Sequence, residues 1–126
     1  MPMTTYLENA LLEGTLRGNT FTAPANVWMS LYSTQNTPGT AGTELTGNGY
    51  ARQQVTFSAA ASGEITSNAA VTFTASGNNW PLAVSAAIMS ANTGGNMLYY
   101  YNITPRTVNA GDSLVFATGD ITITIG

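Results

Sequence analysis

"NVWMSLYS", residues 26–33, is where the period of the chain changes. From here apolar residues fall on alternate positions: Val27, Met29 and Leu31 on one face, Trp28, Ser30 and Tyr32 on the other, which predicts a strand. The same signature recurs downstream in short runs, "YARQQVTFS", "AVTFTA", "LAVSAAIMS", "MLYYYNI", "SLVFA" and "DITITI", each bounded by Gly, Asn, Pro or Ser. β-Branched and aromatic enrichment at this spacing predicts an all-β fold, an immunoglobulin-like antiparallel β-sandwich, rather than alternating βαβ units. In the last run Ile121, Ile123 and Ile125 alternate with Thr122 and Thr124, so one face should be buried and the other wet. "NAGDS" (109–113) and "ATGD" (117–120) read as tight turns between the final strands.

Upstream of Pro24 the period is helical. Thr5 followed by Glu8 has capping-box spacing, Leu7, Ala10 and Leu11 repeat on one face, and Gly14 or Gly18 can end the helix. The expected organisation is one domain over 1–126, with a helix or arm at 1–18 and the sandwich at 26–126. Two roles for the helix stay open: closing one end of its own domain, or docking on a neighbouring subunit through Leu7 and Leu11. Between the first two strands, "TQNTPGTAGTELTGNG" (34–49) is too long and too rich in turn formers for a tight hairpin, and reads as a surface loop.

Composition excludes more than it selects. Histidine and cysteine are absent, which removes the usual general base, thiol nucleophile and transition-metal ligands, and no disulfide can form. Catalysis would rest on six scattered carboxylates and the hydroxyls, so no enzyme, no cofactor and no metal site is expected. Calcium is the one metal that the "AGD" and "TGD" turns could serve, but no D-x-[DN]-x-[DN]-G run exists and plain turns account for them. Three arginines and no lysine cannot form a phosphate-tracking surface, so nucleic acid is not an expected partner. The first 14 residues lack the basic and apolar regions of a signal peptide. The apolar stretch at 81–91 is far short of the ~20 residues that span a bilayer, so synthesis in the cytoplasm and no membrane partner are expected. Sparse charge over a surface rich in Thr, Ser and Asn suits a protein that neighbours cover, because few ions must be desolvated.

Contact residues are therefore the functional candidates. In "GNGYARQQVTFS" (47–58) the glycines open onto a strand, not onto a helix whose amides would bind phosphate. Continuing the two-residue repeat puts Ala51, Val55 and Phe57 inward and leaves Tyr50, Arg52 and Gln54 outward. Tyrosine and arginine are enriched at interface hot spots, although a solvated face would have the same pattern. If that face is an interface, Arg52→Ala should weaken association by about 2 kcal/mol and leave the isolated fold intact. In "MLYYYNI" both faces are apolar: either the strand is central and covered on both sides, or Tyr100 faces a partner.

The run of segments "TTYLENALLEGTLRG", "PANVWMSLYST", "GTELTGNGYARQQVTFSAA", "ITSNAAVTF" and "NMLYYYNITPRTVNAGDSLVFATGDITITI" resembles a family of small tailed-phage and prophage virion proteins over nearly the whole chain. Members are commonly labelled tail fibre proteins, and similar small sandwiches act as capsid decoration or cement proteins. The resemblance implies a non-enzymatic structural protein of the virion. The leading expectation is a decoration subunit on the outer capsid surface, bound to the major capsid protein and to copies of itself as a dimer or trimer. The alternative is a tail-fibre or tail-tip module that binds tail proteins or a host surface glycan. Leu7, Leu11, Glu44 in the long loop, Tyr50, Arg52, Gln54 and Tyr100 are the candidate interface residues.

Overall fold

The computed structural model describes residues 1–125. One helix precedes eight antiparallel strands: α1 (Thr5–Leu16), β1 (Val27–Tyr32), β2 (Gln53–Val55), β3 (Glu64–Thr66), β4 (Val71–Thr74), β5 (Ala83–Met89), β6 (Met97–Arg106), β7 (Ser113–Phe116) and β8 (Thr122–Thr124). A four-stranded sheet in the order β2-β1-β5-β6 faces two ladders, β3-β8 and β4-β7. The fold is all-β and sandwich-like, as the periodicity predicts. Ser67 ties the second layer together: it bridges to Phe57, its N–H donates to the Ile121 carbonyl (2.9 Å) and its own carbonyl accepts from Gly119 N–H (2.9 Å).

The core lies between the layers. Met29 and Leu31 of β1, Val55 of β2, and Ala86 and Ile88 of β5 meet Val71 and Phe73 of β4, Leu114 of β7 and Ile123 of β8. Each large side chain fully removed from water here contributes about 1.5–3 kcal/mol. Ile121 and Ile123 are buried as the alternation requires, but Ile125 lies beyond the end of β8 and is exposed. β5 is buried at six of its seven positions because its small side chains (Ala83, Ser85, Ala86, Ala87) let both faces be covered closely.

The covering of the outer face corrects two expectations. Residues 34–49 do not simply run over the surface. Asn36 is buried, donating to Ser85 Oγ (2.9 Å), Glu44 bridges to Tyr32, and Leu45 enters the core. The segment thereby covers part of the outer face of β1 and β5, around Tyr32 and Ser85, and Asn36 supplies Ser85 with a buried hydrogen-bond partner. β6, in turn, is not central. It lies last in its sheet, and its free edge takes up residues 2–4, with Thr4 N–H donating to the Leu98 carbonyl (2.9 Å) and Tyr100 N–H to that of Pro2 (3.1 Å). Tyr100 is half-buried with Tyr32, Ala87, Met89 and Met97.

α1 starts one residue earlier than the capping-box spacing suggests. Thr4 is the N-cap, its Oγ1 accepting from Leu7 N–H (3.3 Å) while donating to the Met97 carbonyl (2.6 Å). Tethering to β6 decides the choice of cap. The helix ends at Arg17, followed by Gly18 with φ +72°. β3 was not anticipated, because three residues with one apolar side chain carry too little periodicity to register.

Candidate functional site

The glycines before Arg52 determine where its neighbours point. Gly47, Asn48 and Gly49 adopt successive positive φ values of 73°, 52° and 83°. A Cβ on Gly49 would stand 2.6 Å from Ser76 Oγ and 3.1 Å from the Thr74 carbonyl oxygen, so this position needs glycine for space as well as for φ. The turn aims the Asn48 carbonyl at two donors, Trp80 Nε1 (2.8 Å) and Ser76 N–H (2.9 Å).

Because β2 begins only at Gln53, residues 50–52 escape the two-residue repeat, and the expected parity fails there. Ala51, expected inward, is exposed. Tyr50, expected outward, stacks on Phe73 (ring centroids 6.2 Å) and meets Trp80 edge-on (5.6 Å). Its hydroxyl donates to Glu44 Oε2 (2.6 Å) and accepts from Leu31 N–H (3.0 Å). Gln54 is exposed, as expected.

Arg52 is not ordinary outward surface either, since its side chain retains only 9% of its exposure. Nε and Nη2 form a fork on Glu44 Oε2 and Oε1, both at 2.9 Å. Nη1 donates to the main-chain carbonyls of Ala91 (2.8 Å) and Gly94 (2.7 Å) in the β5–β6 loop. Four of the five guanidinium N–H donors are thereby used inside the chain, pinning two loops that no strand ladder connects. Burial pushes the Glu44 carboxyl up. Hydrogen bonds from Arg52 and Tyr50, with the guanidinium charge, outweigh it and hold the group below its ordinary value. Burial, then the bond to Glu44, pushes the Tyr50 phenol well up, so it remains a donor. The bond to Glu44 likewise raises the Arg52 guanidinium.

Beside this clamp lies a cleft of about 470 Å³ whose walls include Trp28, Glu44, Thr46, Arg52, Asn92 and Thr93. Sequence reasoning brought Glu44, Tyr50 and Arg52 forward but missed Trp28, Asn92 and Thr93; the signal available was Trp28 on the face opposite Met29 and Leu31. Leu7 and Tyr100 lie elsewhere. Leu7 is buried where α1 packs on β6, Leu11 is half-buried, and the helix instead exposes Leu12 (56%) and Leu16 (77%). Among the described residues no cluster of three or more acidic side chains could hold a metal, and no helix is long and apolar enough to cross a membrane.

A family model described as Podophage GP4 fiber I protein gp80 matches residues 2–124. The chain belongs to this family. It is thus a member of a phage fibre protein family, a structural class of the virion, and the match takes in α1, all eight strands and both loops of the clamp. No curated protein matches the chain.

Proposed function

We propose that the chain is a non-enzymatic subunit of a phage tail fibre that takes part in host attachment, in preference to a capsid decoration protein. The observation that carries this reading is the fibre-family match over 2–124. Sparse charge, the main physical support for capsid decoration, serves a fibre equally, because any assembled protein gains when few ions must be desolvated. Tail proteins and further copies of the chain are the proposed partners. The exposed pair Leu12 and Leu16, four residues apart on the helix face turned away from Leu7, is the proposed assembly surface.

Cryo-EM of the virion with quantitation of copies tests the placement. A small, symmetric set of copies at the tail is expected; hundreds of copies over the head would overturn it. For the assembly surface, Leu12→Ser with Leu16→Ser should leave the melting curve of the purified chain in place and lower its incorporation into particles. Full incorporation of this variant would remove the helix from the contact.

A further inference from the structure

We propose that the cleft between Trp28 and the Asn92–Thr93 loop tip is a saccharide subsite, sized for one or two neutral sugar rings. The inference rests on the host-attachment reading above for its biological setting, but the site itself is argued from its geometry. The two tryptophans of the chain contrast sharply. Trp80 is buried and its indole N–H is bonded to Asn48. Trp28 is half-buried and lines the cleft, and its Nε1 has no partner among the described residues. An aromatic face with an unspent donor at its edge suits a ligand with one apolar C–H face and a rim of hydroxyls.

The rest of the lining supplies matching polar groups. Thr46, Asn92 and Thr93 are exposed, and their side chains make no hydrogen bond within the described chain. The fifth guanidinium N–H, on Arg52 Nη2, is also left over once Glu44 and the two carbonyls are served. Charge selects among ligands: the Arg52 cation is matched by Glu44 at 2.9 Å, so neither an anion nor a cation gains a net field, while a neutral polyol loses nothing. The volume of about 470 Å³ lies within the roughly 300–1,000 Å³ range of small-molecule clefts. The clamp also fixes both rims before any ligand arrives, which lowers the ordering cost of binding.

The test titrates the purified full chain with the methyl glycosides of glucose, galactose and N-acetylglucosamine, followed by saturation-transfer NMR and tryptophan emission. At least one should bind with millimolar affinity and change the emission of Trp28. Asn92→Ala with Thr93→Ala, both on an exposed loop, should weaken binding about tenfold, a loss of about 1.4 kcal/mol. Trp28→Ala should abolish it in a protein whose melting curve is retained; if that variant does not fold, the loop variant decides alone. Absence of binding by all three glycosides, or binding unchanged in the loop variant, overturns the proposal. Either result is independent of where the chain sits on the particle, so the subsite and the fibre placement fail separately.

Discussion

Replacing Arg52 by alanine should destabilise the isolated protein. The substitution removes the fork on Glu44 and the two bonds to Ala91 and Gly94, and leaves a carboxylate with only 26% of its side-chain surface exposed. Breaking a fully buried pair from one side costs about 3–5 kcal/mol, and hydrogen bonds to charged groups are worth about 1.5–3 kcal/mol each without being additive. Glu44 and the two loop carbonyls can partly rehydrate, so the expected loss is about 3 kcal/mol. For a chain of this length that corresponds to a melting point lower by roughly 10 °C. Urea unfolding at neutral pH measures it, with the slope m checked for constancy. Arg52→Lys should recover little, because an ammonium cannot span both carboxylate oxygens and both carbonyls. A loss under about 0.5 kcal/mol at unchanged m would place Arg52 with ordinary surface residues and refute the clamp. The expectation that Arg52→Ala leaves the fold intact and weakens only association is thereby replaced.

Further outcomes follow from the same geometry. Glu44 is held below its ordinary pKa in the folded state, so its contribution is present above the unfolded value near 4.5 and is lost as pH falls through the folded one. The stability difference between the natural protein and Glu44→Gln should therefore shrink as unfolding is measured at successively lower pH below about 4.5; a constant difference would contradict the linkage. Tyr50 has the opposite sign: its raised pKa makes the neutral phenol part of the fold, and stability is lost as pH rises past the unfolded value near 10. Tyr50→Phe should cost about 1–3 kcal/mol at neutral pH, by leaving Leu31 N–H without its acceptor, and should flatten the alkaline limb of the unfolding curve. Gly49→Ala should cost more than 1 kcal/mol, roughly the strain of a left-handed non-glycine residue, with a further penalty from the 2.6 Å approach to Ser76 Oγ; a neutral result by thermal melting would show that the turn can relax.

The fold was legible where side chains alternate over several residues. Met29 against Ser30, or Ile121 and Ile123 against Thr122, settle strand and face without any tertiary knowledge. β3 was illegible because Ile65 is its single apolar side chain, and its pairing with β8 is a property of register across about 60 residues. The same gap hid the true surroundings of Arg52. Its residue type and its place next to a glycine turn drew attention, and Glu44 was within reach as a candidate. The carbonyls of Ala91 and Gly94, however, belong to every sequence alike, and only the folded chain brings them 2.7–2.8 Å from Nη1. Tyr50 was misplaced for a related reason: three consecutive left-handed residues rotate the chain out of the strand repeat that parity assumes.

The grip on main-chain oxygens has an evolutionary side. Arg52 holds the β5–β6 loop at Ala91 and Gly94, the residues that bracket Asn92 and Thr93, and these bonds run to main-chain carbonyls and to neither of the side chains between them. Side chains at 92 and 93 can therefore be exchanged without loosening the support beneath them. A chain built this way can alter what its loop tip presents, one substitution at a time, while the frame that positions the tip stays the same.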